Sequence, residues 1–307
     1  MGYTFLFPGQ GSQKVGMGQD FFQAFDNARR RFDEANIILG RDLTSICFKG
    51  PEDVLTETQN TQPALFTVES AICDALREKN VLPSHTAGHS LGEYSALYAA
   101  GFISFSDGIR ITAKRGELMA EAGKEAPGTM AAVMGMTMQQ IQEVLSAQVK
   151  GIVVCANQNS PDQTVISGEI AAVKDACEKL KTAGAKRSVL LPVSGAFHSP
   201  LMRKAADEFA AFIASFTFQS PRCPVIANVT AQAENDPVKI KELLIKQLFS
   251  PVRWADSMKL LVSLDYGTCI ELGPGSVLRN LAKKCQDQLN VLPCGTVENL
   301  YSFFRSE

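Results

Sequence analysis

Apolar and polar positions along this chain alternate between two periods, one suited to strands and one to helices. YTFLF (3–7) is a short, mostly apolar run ending at Pro8, which predicts a buried strand. QPALFTVESAICDALREKN (62–80) sets Leu65, Val68, Ile72 and Leu76 three or four residues apart, the stripe of an amphipathic helix. HTAG (85–88) predicts a short strand. LGEYSALYAAG (91–101) predicts a helix that Gly101 stops.

The middle of the chain separates from the rest. MAAVMG (130–135) predicts a strand, and TMQQIQEVLSAQ (137–148) a helix capped by Thr137. GIVVCANQ (151–158) and QTVISG (163–168) predict two strands joined by the turn NSPD. EIAAVKDACEKLKTAG (169–184) is a helix ending at Gly184, and RSVLLPVSG (187–195) a last strand. The order β-α-β-β-α-β is the split, ferredoxin-like pattern. It places a small domain at residues 127–194, inserted in a larger α/β domain made of 1–126 and 195–307. Beyond the insert, SPLMRKAADEFAAFIASF (199–216) and VKIKELLIKQLF (238–249) read as helices around the strand CPVIANV (223–229). GTCIELGPGSVLRNLAKKC (267–285) reads as strand, glycine turn and helix. The overall class is α/β.

Composition narrows the function classes. The 307 residues suffice for one large domain, or for a large and a small one. Hydrophobic residues make up 45% and charged residues 20%, the balance of a soluble globular protein. The formal net charge of -2 gives no pull toward nucleic acid or an anionic membrane. No apolar run approaches the roughly 20 residues needed to span a bilayer. The opening MGYTFLFPGQGSQ has no basic n-region and reads as a strand and a loop rather than a signal peptide. Eight cysteines form no Cys-x-x-Cys pair and no zinc-spaced cluster, so buried thiols in a reducing cytoplasm, and no metal, are expected.

The chemistry-bearing motif is GHSLG (88–92). Gly-x-Ser-x-Gly between a strand and a helix is how many hydrolases present a serine nucleophile. Ser90 would stand at the helix N-terminus, with the backbone N–H of Leu91 turned toward an oxyanion. The bland alternative is a tight strand–helix turn whose serine only caps the helix. A nucleophilic serine needs a base, and the chain has three histidines. His89 adjoins Ser90, where neighbouring side chains diverge, and His85 sits at the start of the short strand. His198, in VSGAFHSPLM between a strand and a helix, is the candidate base. No aspartate is an obvious third member: Asp162 and Asp207 lie in no telling context, and a backbone carbonyl can orient an imidazole instead. ELGPGSVLRNLAKK lacks the Lys-[Ser/Thr] of a phosphate loop and reads as structural.

Six motifs then fall in order: FPGQGSQ (7–13), GHSLGEYSAL (88–97), RGELM (115–119), NQNSPDQTVISG (157–168), GAFHSPLM (195–202) and QLFSPVRW (247–254). Together they resemble the malonyl-CoA:acyl carrier protein transacylases, the acyltransferase family of fatty acid and polyketide synthesis, over nearly the whole chain. The resemblance implies an α/β-hydrolase-like large domain with a ferredoxin-like insert. It implies that Ser90 carries the acyl group as an ester and that His198 is the base. It also implies an oxyanion hole from the backbone N–H groups of Gln10 and Leu91, and a histidine oriented by the carbonyl of Gln247. By itself Arg115 reads as one charge on a solvated helix face. The resemblance makes it the fork that holds the malonyl carboxylate, a planar pairing suited to guanidinium. Proofreading acyl hydrolases that resemble the family lack this arginine, so transfer rather than hydrolysis is implied. Phe197 in GAFHS would narrow the pocket against an α-methyl group; otherwise it is simply core.

The substrates implied are malonyl-CoA and a phosphopantetheinylated acyl carrier protein, with the coenzyme A thioester a substrate and no cofactor. A monomer is the family default. The pathway stays open between fatty acid and polyketide synthesis, GAFHSPLM leaning toward a trans-acting polyketide acyltransferase. The rival readings are an acyl hydrolase using the same serine and a non-catalytic interaction module on the same fold.

Overall fold

The computed structural model describes residues 2–264 and 266–306, apart from the side chain of Ser306. Ten strands follow one another along the described chain: β1 (Tyr3–Phe7), β2 (Pro83–Gly88), β3 (Gly128–Met134), β4 (Val153–Ser160), β5 (Gln163–Glu169), β6 (Arg187–Leu190), β7 (Val225–Ile226), β8 (Ala233–Glu234), β9 (Thr268–Glu271) and β10 (Val291–Pro293). Six form one sheet in the order β10-β9-β1-β2-β7-β8. Its pairings are parallel except β7 with β8. Parallel strands are buried on both faces, which is why Phe5, Leu6 and Phe7 of β1 are all inaccessible to solvent. The other four strands form a separate antiparallel sheet, β4-β5-β3-β6. Two helices, Met138–Gln148 and Ile170–Thr182, complete the β-α-β-β-α-β order, and this unit has its own core around Ile141, Ile166 and Val173. The chain is therefore α/β, with a mainly parallel large sheet and a small antiparallel one.

Local chemistry sets the helix ends. Thr137 accepts from the backbone of Gln140, whose side chain returns the bond, a complete capping box. Gly101 stops the Gly92–Ala100 helix in the left-handed conformation at φ 91°. Some segments depart from their local pattern. SPLMRKAADEFAAFIASF divides into a 3-10 turn at Pro200–Met202 and a helix at Arg203–Ile213, because Ser199 caps the turn and Pro200 opens it. CPVIANV keeps only Val225–Ile226 in the sheet. RSVLLPVSG pairs only as far as Leu190, and Pro192, which lacks an N–H, follows.

Two buried helices cross behind the large sheet, Thr58–Glu78 and Phe105–Glu125. Pro63 lies inside the first, so the carbonyl of Gln59 loses its helical donor; Arg41 Nη2 supplies one at 3.0 Å. Gly116 permits the close crossing, since a Cβ there would lie 2.9 Å from the carbonyl oxygen of Thr58. That contact brings Arg115 beside Gln62.

The two sheets are tied where β4 meets the segment after Gln247. Val252 donates to the carbonyl of Ala156 at 2.9 Å, and Gln158 donates to that of Val252 at 2.8 Å. The functional cavity opens between the small sheet and the C-terminal ends of β1 and β2.

Candidate active site

Ser90 stands on a sharp turn between β2 and the Gly92–Ala100 helix, at φ 52°. A non-glycine residue in that region stores strain of roughly 1–3 kcal/mol, so neighbours must hold it. The flanking glycines allow the approach. A Cβ on Gly88 would sit 1.9 Å from the carbonyl carbon of Gly92, and one on Gly92 would sit 2.0 Å from the carbonyl oxygen of Phe7. Asn228 then pins the turn. Its Oδ1 accepts from the Ser90 backbone at 2.8 Å, and its Nδ2 donates to the Gly88 carbonyl at 2.6 Å. β7 ends at Ile226, and the chain that leaves the sheet there carries Asn228 to the serine.

Ser90 Oγ lies 2.8 Å from His198 Nε2. The other ring nitrogen, Nδ1, lies 2.7 Å from the backbone carbonyl oxygen of Gln247. A carbonyl can only accept, so Nδ1 carries the proton and Nε2 presents a lone pair to the serine. Burial, reinforced by the positive charge of Arg115, pushes the His198 imidazolium down to about 3 from its ordinary 6.5. The ring is therefore neutral at physiological pH, the state a general base needs. Neither aspartate weighed from sequence is the orienter. Asp162 accepts from Ser160 at 2.8 Å, and Asp207 is exposed on the Arg203–Ile213 helix. His89 bonds Asn159 Oδ1 at 2.9 Å through Nε2, and its ring packs 5.6 Å from that of Trp254. His85 lies in β2, opposite Thr4.

Arg115 is buried on the Phe105–Glu125 helix, 1% exposed. Its Nη2 reaches Ser90 Oγ at 3.2 Å and Gln247 Oε1 at 2.8 Å, and its Nη1 reaches Gln62 Oε1 at 2.7 Å. The guanidinium also lies over the ring of Tyr94, 5.4 Å from its centroid. The side-chain amide of Gln247 continues the network, donating through Nε2 to the Ser90 carbonyl at 2.8 Å and to Glu93 Oε2 at 2.5 Å. Burial lifts the Glu93 carboxyl to about 7, against the N–H donors of Asn228 and Gln247 and the charge of Arg115.

A cavity of about 220 Å³ surrounds these groups. Gln10 and Leu91 border it, and among the described residues no acceptor is bonded to the backbone N–H of either. Two free donors beside a nucleophile are the raw material of an oxyanion hole. Gln10 is tethered by its side chain to Thr58 Oγ1 at 3.2 Å. Met119 and Phe197, with Met130, Val165 and Leu191 from the small sheet and the segment after it, make much of the wall apolar. The turn after β9 is occupied internally: Glu271 accepts from the backbone of Leu278 and Arg279 at 2.8 and 2.9 Å, filling the helix N-terminus where a phosphate could otherwise sit. Among the described residues no group of three His, Cys, Asp or Glu is placed to hold a metal ion.

Sequence reasoning missed Asn228, Gln62, Glu93 and the side chain of Gln247. Glu93 lay inside a quoted motif, one turn past the serine, and could have been singled out as a carboxyl in a helix destined for burial. The others carry no local signal.

Known proteins match this chain along almost its whole length. The acyl transferase domain model matches residues 4–300. A protein of Bacillus subtilis (strain 168) named malonyl CoA-acyl carrier protein transacylase is 43% identical over 299 residues, 97% of this chain and 94% of the relative. The crystal structure of an acyl carrier protein S-malonyltransferase from Vibrio cholerae superposes with a TM-score of 0.95 at 40% identity, covering 99% of this chain and 100% of that one. A malonyl-transacylase in complex with its type II PKS acyl-carrier protein matches with a TM-score of 0.94 at 38% identity over the full length of both chains. On the strength of these matches, which run almost from end to end, the chain belongs to the acyl transferase domain family.

Proposed function

We propose that this chain moves a malonyl group from malonyl-CoA to the phosphopantetheine thiol of an acyl carrier protein, through a malonyl ester on Ser90. The observation that carries the reading is the meeting of Arg115 Nη2 and Ser90 Oγ, 3.2 Å apart in one mostly apolar cavity. A nucleophile beside a buried, permanently charged fork suits an acyl group ending in a carboxylate. Relatives and structural neighbours named for malonyl transfer support the same choice.

In the first half-reaction His198 Nε2 takes the Ser90 proton as Oγ bonds to the thioester carbonyl carbon. The negative charge on the tetrahedral oxygen is met by the N–H groups of Gln10 and Leu91. As the C–S bond breaks, His198 returns the proton to the coenzyme A sulfur. In the second half-reaction His198 takes the proton of the carrier thiol, sulfur attacks the ester, and Ser90 recovers its proton. The carbonyl of Gln247 holds the imidazole in one tautomer throughout. Thioester and ester are close in energy, so orientation and exclusion of water matter more than driving force. Phe197 narrows the wall against a branch on the acyl α-carbon.

The reaction needs no cofactor, since the coenzyme A thioester is a substrate and Ser90, His198 and backbone donors carry each step. We propose that the chain acts as a monomer in the cytoplasm, where its eight free thiols suit a reducing compartment, and that it serves fatty acid or polyketide synthesis. Intact-mass measurement after mixing with malonyl-CoA tests the reading. Wild type should gain one malonyl group and Ser90→Ala none; an adduct retained by Ser90→Ala removes Ser90 from the role.

A further inference from the structure

Arg115 is buried, yet among the described residues its hydrogen-bond partners are two neutral amides and a hydroxyl, with no carboxylate. Guanidinium carries five N–H donors in a fixed plane. One Nη1 donor is held by Gln62 and one Nη2 donor by Gln247, while the second Nη2 donor rests on Ser90 Oγ. Nε has no partner among the described residues. Acylation turns Ser90 Oγ into an ester oxygen, a poorer acceptor, and frees that Nη2 donor. The freed Nη2 donor then stands beside unpartnered N–H groups on Nη1 and on Nε, and either combination is a pair that a carboxylate can take in a fork.

Gln62 is placed to set this arrangement. It is 1% exposed on the Thr58–Glu78 helix. Its amide is oriented from both ends, with Oε1 accepting from Arg115 at 2.7 Å and Nε2 3.4 Å from Met119 Sδ. A buried arginine would ordinarily be matched by a carboxylate at such a position, since an unmatched internal charge is costly. Glutamine supplies the same geometry without the charge.

We propose that Gln62 is a specificity-determining positioning residue: its neutral amide aims the Arg115 fork at the acyl pocket and leaves the positive charge for the substrate's carboxylate. A carboxylate at position 62 would cancel that charge in the empty site, and the pocket would cease to demand an acidic acyl group. The proposal rests on the malonyl-transfer reading above.

Gln62→Glu, nearly identical in shape, tests it. Carrier-protein loading is followed with malonyl-CoA and with acetyl-CoA, and kcat and KM are separated for each. The malonyl-over-acetyl ratio of kcat/KM should fall by about 30-fold or more, the scale of disrupting one buried charge pair. The fall should come from a raised malonyl KM, with acetyl transfer held or increased. A merely structural role would depress both substrates together, and that result, or a ratio within about twofold of wild type, overturns the proposal. If Gln62→Glu fails to fold, Gln62→Met serves: it removes the acceptor but adds no charge. The malonyl KM should rise without a gain in acetyl transfer, and an unchanged malonyl KM overturns the proposal. Wild type that forms no malonyl-Ser90 adduct overturns the malonyl reading itself. Wild type that loads malonyl beside a Gln62→Glu variant that keeps its selectivity overturns only the role of Gln62.

Discussion

Replacing Arg115 with alanine should reverse the preference between acyl groups while leaving the fold intact. The guanidinium is 1% exposed, so a carboxylate bound to it is largely desolvated, and losing one partner of such a pair costs about 2–5 kcal/mol. That corresponds to about 30- to 5,000-fold in kcat/KM for malonyl-CoA, at about 1.4 kcal/mol per factor of ten. Acetyl-CoA forms no such pair, and in the wild type it leaves the buried guanidinium with no bonded carboxylate, only the through-space pull of Glu93; Arg115→Ala should therefore load acetyl faster than wild type does. The stability balance is smaller. The variant orphans Oε1 of Gln62 and Oε1 of Gln247, at about 1–3 kcal/mol each. Against this it removes a buried guanidinium that no carboxylate touches among the described residues, which offsets part of the cost. The assay is carrier-protein loading with each thioester, read as the ratio of the two kcat/KM values, with a thermal melt as control. A ratio unchanged from wild type, in a protein that melts normally, refutes the carboxylate fork.

Further outcomes follow from neighbouring groups. Asn228→Ala leaves the Ser90 N–H and the Gly88 carbonyl without partners at a strained turn, and should lower stability by about 2–5 kcal/mol and slow acylation; an unchanged urea midpoint contradicts this. The His198 imidazolium lies near 3, below its ordinary value, so kcat/KM against pH should show no step at 6.5 and should fall only well below it. The same shift has a stability sign. Below pH 6.5 the unfolded chain binds a proton at His198 that the native state refuses until about pH 3, so this group's share of stability is lost as pH is lowered from 6.5 to about 3. The slope is about 1.4 kcal/mol per pH unit. Titrating unfolding free energy for wild type and His198→Gln isolates it as a difference, because Glu93, raised to about 7, works in the opposite sense as pH climbs from 4.5; parallel curves contradict the assignment.

The parts of the fold legible in sequence were those set by local periodicity and punctuation. The alternating strands and helices between Gly128 and Leu190 could be ordered because each carries its own pattern, punctuated by residues such as Thr137 and Gly184. The short strands β8 and β10, of two and three residues, have too few positions to show a period. The helices Gln19–Ala24, Leu43–Lys49 and Glu52–Thr56 are too short to show a full period, whereas Asp26–Leu39 does bury Ala28, Phe32 and Ala35 at helical spacing, a stripe weakened by its two small residues and the charges between them. The site divides the same way. Ser90 announces itself by two glycines, and those glycines prove to be demanded by backbone contacts with Gly92 and Phe7. His198 stood out among only three histidines by its place between a strand and a helix, whereas Arg115 and Gln247 required a resemblance, because nothing local to them marks a fork or an orienting carbonyl. Arg115 shares its helix with Arg110 and Lys114 and differs only in facing inward, which Gly116 and the close crossing with the Thr58–Glu78 helix bring about. Asn228 lies 138 residues from the serine it supports. Only the turn that ends β7 brings the two together, and no spacing rule encodes that.

The central claim is that Ser90 passes its acyl group to a thiol rather than to water. The direct measurement is to isolate the malonyl-enzyme, divide it, and follow the ester by mass in buffer alone and with a phosphopantetheinylated acyl carrier protein. The ester should persist in buffer and clear rapidly onto the carrier, with malonyl appearing on the carrier thiol. Release of free malonate at the same rate with and without the carrier would contradict the account and make the chain a hydrolase.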